Sequence, residues 1–147
     1  MKIGGTVGEI LRQKTGTLWS IPSQSTVFEA IQRMAEKDIG ALPVVDGDQL
    51  VGMFSERDYT RKVILQGKSS KQTTVGEIMS RNVVTVTPER AIEECMELMT
   101  QHRVRHLPVM SGGKLVGVVS IGDAVKWTIS AQDAALQQMA SYITGSY

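Results

Sequence analysis

The chain repeats itself. Residues 20–64 laid over residues 85–129 match without a gap, at a constant offset of 65. Leu42-Pro43-Val44 falls on Leu107-Pro108-Val109, and Gly47 on Gly112. Leu50-Val51-Gly52 falls on Leu115-Val116-Gly117, Ser55 on Ser120, and Asp58 on Asp123. The same pentapeptide, Thr-Val-Gly-Glu-Ile, stands ahead of each copy, at residues 6–10 and 74–78. Two copies must form the same unit, and neither is large enough to bury a comfortable core alone. The units span residues 6–67 and 74–130, the polar stretch up to Thr73 reads as a linker, and residues 131–147 form a tail.

Each unit parses in the same order. Thr6 with Glu9, and Thr74 with Glu77, have the spacing of a capping box and start a short helix. Short strands are expected at Leu18 to Ile21 and at Val83 to Val86. Amphipathic helices follow, with Val27, Ile31 and Met34 on one face in the first copy and Ile92, Met96 and Met99 in the second. Two strands around a glycine turn read as a hairpin: Ala41–Val45 with Leu50–Phe54, and His106–Met110 with Leu115–Val119. Second helices begin at Glu56 and Ile121. The order β-α-β-β-α, used twice, predicts an α/β (α+β) fold in which the units pack sheet to sheet about a pseudo-two-fold axis. In the tail, Leu136, Met139, Ala140 and Ile143 keep helical spacing. That helix either folds back on its own core or offers a self-association surface.

Composition removes several function classes. With 41% hydrophobic and 21% charged residues, the 147-residue chain is globular rather than disordered. Sixteen basic against fifteen acidic residues leave a formal net charge of +1, which disfavours nucleic acid as a partner. Apolar runs fall short of the ~18 residues that a membrane span requires, and no export signal is visible. The single cysteine, Cys95, excludes an internal disulfide and fits a reducing cytoplasm. It falls among Met96 and Met99, as a core thiol would. His102, His106 and Cys95 lack the number and spacing of a zinc set, so neither a metal nor a catalytic centre is expected.

The chemistry concentrates at Ser55-Glu56-Arg57-Asp58 and its twin Ser120-Ile121-Gly122-Asp123. A strand ends, a serine follows, and an aspartate sits three residues on. Such a pair caps a helix. It also fits a nucleoside phosphate, with hydroxyl and helix start toward phosphate and the carboxylate toward vicinal ribose hydroxyls. Arg57 opposes the helix dipole, and an anion nearby would account for it. The approach to each proline differs between copies: Gly40-Ala41 precedes Leu42-Pro43, whereas Arg105-His106 precedes Leu107-Pro108. Strand edges there could read an adenine rim, and Arg105 with His106 suits a phosphate tail.

Leu-Pro-Val, a turn, Leu-Val-Gly, and Gly-x-x-Ser-x-x-Asp, doubled in register, resemble the cystathionine-β-synthase (CBS) domain, and the pair resembles a Bateman module over residues 6–130. The resemblance implies two clefts and an adenosine-containing ligand: AMP, ADP, ATP, NAD(H) or S-adenosylmethionine. It maps Ser55, Asp58, Ser120 and Asp123 onto the nucleotide motif. The adenine-facing segments map onto Ser20-Ile21, Thr85-Val86, residues 40–43 and residues 105–108. It also implies a homodimer. Nothing outside the repeats is large enough to be a catalytic domain, so such a sensor acts through its own dimer or on a separate protein. The alternative is an adaptor that keeps the fold without a ligand.

Overall fold

The computed structural model describes residues 4–14 and 17–144, apart from the side chains of Tyr142 and Thr144. In the first copy, α1 (Val7–Gln13) is followed by α2 (Val27–Lys37), β1 (Ala41–Asp46), β2 (Gln49–Ser55) and the turn α3 (Glu56–Asp58). That turn continues into a π-helical stretch, Tyr59–Ile64. The second copy contributes α4 (Val75–Ile78), α5 (Ile92–His102), β3 (His106–Ser111), β4 (Lys114–Ser120) and α6 (Ile121–Thr144).

Each hairpin is antiparallel, β1 with β2 and β3 with β4, and each carries an irregularity at the same place, after Val44 and after Val109. Gly47 and Gly112 take φ of +62° and +58° at the turns, where a side chain would be strained. β2 and β4 lie against each other across the two units. Of the faces that periodicity selects on α2 and α5, Val27, Met34, Ile92 and Met99 are buried, Ile31 and Met96 pack partly buried against the cores, and Ala30 and Cys95 take the remaining buried places.

The strands expected at Leu18 to Ile21 and Val83 to Val86 do not form as strands. Each reduces to one parallel bridge, Ile21 to Val44 and Val86 to Val109. Ile21 N–H donates to the Pro43 carbonyl at 3.1 Å, and Val86 N–H to the Pro108 carbonyl at 3.0 Å. A proline with no N–H can still accept, so Pro43 and Pro108 serve the one residue that lies beside them.

The two leading helices are exchanged. Val7 and Ile10 of α1 sit in the core of the second copy, with Ile92, Leu107 and Val119. Val75 and Ile78 of α4 sit in the core of the first, with Val27, Leu42 and Phe54. Backbone bonds fix the exchange: Val7 N–H to Arg90 O at 2.9 Å and Val75 N–H to Ser25 O at 2.8 Å. The glycine of each pentapeptide permits the approach. A Cβ on Gly8 would lie 3.2 Å from Pro88 O, and one on Gly76 would lie 3.1 Å from Ser23 O.

The tail does not fold back. α6 runs unbroken from the second copy's own helix into the predicted tail helix. Leu136, Met139 and Ile143 remain exposed. Residues 145–147 of the predicted tail lie outside the described residues. Among the described residues no helix is long and apolar enough to cross a membrane.

Candidate functional site

Both Ser-x-x-Asp segments form the cap that the spacing predicts. Asp58 N–H donates to Ser55 Oγ at 3.2 Å, while the Ser55 N–H and hydroxyl donate to Asp58 Oδ2 at 3.0 and 3.1 Å. In the twin, Asp123 N–H donates to Ser120 Oγ at 3.1 Å and Ser120 N–H to Asp123 Oδ2 at 2.9 Å.

Beyond the cap the two aspartates differ. Asp58 Oδ1 accepts from the Ser80 hydroxyl at 3.2 Å and pairs with Lys62 at 3.1 Å. Ser80 arrives there because the segment after the exchanged α4 bridges Met53 at the edge of β2. Asp123 instead pairs with Lys14 at 3.0 Å, and the same ammonium donates to Val118 O at 3.0 Å. Lys14 follows the exchanged α1, so the exchange delivers a hydroxyl to one aspartate and a cation to the other.

Asp58 opens onto a cavity of about 710 Å³ that both copies build. Gly40, Ala41, Ser55, Arg57 and Asp58 line it from the first copy, and Arg105 and His106 from the second. The sequence singled out all seven. The walls also include residues it did not: Met53, Glu56, Arg61, Lys62, Ser80, Asn82, Val83, Val84, Arg103 and Val104. Arg61 and Lys62 carried a signal, since they lie three and four residues past Asp58 on the same helical stretch. Ser80 carried none, because only the exchange brings it there.

Arg57 reaches across the units, its guanidinium donating to Arg103 O at 2.9 Å. His106 is partly buried, and that burial pushes its pKa below the usual 6.5. Asp123 opposes the shift, while Lys14 and Arg105 reinforce it. Gly40 holds Arg105's place in the first copy, and a Cβ there would lie 3.0 Å from Glu56 Oε1 and 3.5 Å from His106 Cε1.

Other predicted residues lie outside the walls of this cavity. Ile21 and Val86 are core residues whose backbone groups serve β1 and β3. Pro43 and Pro108 are buried within those strands. The Ser20 carbonyl accepts from Arg33 at 2.5 Å, and Thr85 is exposed. Ser120 and Asp123 form the twin cap with Lys14. A smaller hollow of about 370 Å³, bounded by α2 and the π-helical stretch, shares Gly40 and Glu56 with the large one. Among the described residues no group of three or more His, Cys, Asp or Glu could hold a metal ion.

Known proteins share the repeat and the fold. The CBS-domain family model matches residues 7–64 and again residues 75–130. The chain is 40% identical over 152 residues to the CBS domain-containing protein CBSX3, mitochondrial, of Arabidopsis thaliana, covering 97% of this chain and 73% of that protein. Among solved structures, a protein with CBS domains from Burkholderia ambifaria superposes with a TM-score of 0.83 at 53% identity, covering 86% of this chain and 95% of that one. The CBS domain pair of protein MJ0100, in complex with 5′-methylthioadenosine and S-adenosyl-L-methionine, superposes with a TM-score of 0.74 at 27% identity, covering 83% and 94%.

Proposed function

The chain belongs to the CBS-domain family as a tandem pair, and from that premise we propose that it is a regulatory module rather than an enzyme. It binds an adenosine-containing nucleotide or dinucleotide, of the AMP, ADP, ATP or NAD(H) class, without a metal. The observation that carries the reading is Asp58: a carboxylate held by its own cap, opening onto a cavity that both copies wall. Its Oδ1, now held by Ser80 and Lys62, faces the exchange that ribose binding requires. The adenosyl ligands of the MJ0100 pair support the ligand class.

The output is a population shift. A ligand that touches both copies favours one relative arrangement, and it can shift that equilibrium only by its difference in affinity. The partner that reads the shift is a second copy in a homodimer or a separate regulated protein. A reducing cytoplasm is the proposed setting, on the support of one free, buried thiol.

One observation favours the adaptor reading: Asp58 already has its partners without a ligand. Titration calorimetry on nucleotide-free protein separates the two. The sensor binds at least one of AMP, ADP, ATP and NAD(H) and ignores GMP. Asp58→Asn then loses about 100-fold in affinity, as two hydrogen bonds to a charged acceptor imply. A flat response to every adenine compound returns the chain to the adaptor class, whereas an Asp58→Asn variant that binds like the parent overturns Asp58 as the ribose ligand.

A further inference from the structure

We propose that the Asp58 cavity selects a nucleoside di- or triphosphate and rejects a cationic adenosyl compound such as a sulfonium. The inference rests on the nucleotide-binding reading and narrows it.

The cavity gathers charge that the chain as a whole does not have. Arg57, Arg61, Lys62, Arg103 and Arg105 line it against Glu56 and Asp58, an excess of three positive charges in a chain whose formal net charge is +1. Lys62 is answered by Asp58, and Arg57 is turned onto the Arg103 carbonyl. Among the described residues the guanidinium groups of Arg61, Arg103 and Arg105 have no ion-pair or hydrogen-bond partner. Like charges gathered around a concavity repel one another and focus their field into it. Three unanswered guanidinium forks match the geometry of phosphate oxygens. A nucleoside diphosphate carries about three negative charges near neutral pH, with a terminal phosphate near two.

The fold does not require these cations. At the offset of the repeat, Arg57 corresponds to Gly122, Lys62 to Trp127, Arg103 to Asp38 and Arg105 to Gly40; only Arg61 meets another cation, Lys126. Arg103 is the most telling. It holds the left-handed conformation that ends α5, φ +55°, and Asp38 ends α2 in the same way at φ +54°. Asp, Asn and Gly suit that conformation better than Arg. An arginine there gives up local fitness, and the cavity it faces is where that choice has value.

The test is titration calorimetry of the full chain with adenosine, AMP, ADP, ATP, S-adenosylmethionine and inorganic pyrophosphate, at low and high salt. The expected result is ADP and ATP at least tenfold tighter than AMP, no measurable S-adenosylmethionine, and a salt dependence much steeper for ADP than for adenosine. Arg103→Asp installs the residue that the other copy already carries, so the backbone tolerates it. It is expected to weaken ADP about tenfold and leave adenosine within threefold. Equal affinity for adenosine, AMP and ADP, or S-adenosylmethionine binding as tightly as ADP, overturns this inference and leaves the nucleotide reading standing. Pyrophosphate binding with no preference for an adenine compound supports the anion site and overturns the nucleotide reading. Binding of none of the six overturns this inference, and overturns the nucleotide reading as well when NAD(H), titrated beside them, also fails to bind.

Discussion

Gly52 and Gly117 occupy the same place in the two copies, and the structure separates what a methyl group would do at each. A Cβ on Gly52 would lie 2.6 Å from Met79 Sδ and 2.8 Å from Ser80 O. The thioether can swing away. The carbonyl cannot, because Met53 N–H donates to Ser80 O at 3.0 Å and Ser80 N–H to Met53 O at 2.8 Å. Ordinary contact to that oxygen asks for a backbone shift of about 0.5 Å or more. Weakening two hydrogen bonds of about 1 kcal/mol each, with overpacking of about 1–3 kcal/mol, gives a loss of about 3 kcal/mol. For a chain of this size that lowers Tm by about 6–12 °C. At Gly117 the three nearest atoms all belong to the Leu11 side chain, the shortest 2.7 Å to Cδ2. That side chain can rotate, so Gly117→Ala is expected to lose only about 1 kcal/mol, or about 2–4 °C. Thermal unfolding of both variants, followed by circular dichroism, tests the difference. A second readout follows from Ser80, whose hydroxyl holds Asp58. Gly52→Ala weakens nucleotide binding and Gly117→Ala does not. A Gly117→Ala variant that melts as low as Gly52→Ala would refute the distinction between a backbone obstacle and a side-chain one.

Two further outcomes follow from the buried titratable groups. Burial, aided by Lys14 and Arg105 and opposed by Asp123, holds the His106 pKa below 6.5 in the folded state, so protonation favours the unfolded chain. The contribution is intact above about pH 7 and is lost as pH falls from about 6.5 toward the folded value. Urea melts from pH 8 to pH 5 should show that decline, and His106→Asn should reduce it; an unchanged pH profile in the variant assigns the decline elsewhere. Burial pushes the Cys95 thiol up to about 11, with Arg90 opposing and Glu94 reinforcing. Ellman's reagent at pH 8 should therefore label it only in denaturant, and stoichiometric labelling of the native protein within minutes contradicts the core placement.

The repeat made the two hairpins and the two long amphipathic helices legible, because apolar spacing repeats where the fold repeats. What the sequence misjudged depends on neighbours. Leu18 to Ile21 and Val83 to Val86 have strand-forming side chains, yet each meets β1 or β3 at a single residue. Conversely, residues 131–147 read as a separate tail although no Gly or Pro falls between Asp123 and that point, and one helix spans both. The cap residues Ser55 and Asp58 were readable because a cap is local. Ser80 and Arg103 were not, since each reaches the cavity through contacts distant in sequence. Arg103 stands two residues before Arg105, but only the end of α5 turns it to the wall.

The exchange of α1 and α4 has a consequence for how the chain can be divided. A cut between Gly67 and Lys68 leaves α1 on the fragment whose own core needs α4, and α4 on the fragment whose core needs α1. Each half then carries the other's missing piece, in the manner of two hands clasped at the wrist. The halves should therefore reassemble without a covalent link, losing mainly the entropy of being held on one chain. A single half has a groove and a stray helix, and both find their match only in a second half. The smallest closed form of this architecture is two units, whether a gene encodes them on one chain or on two.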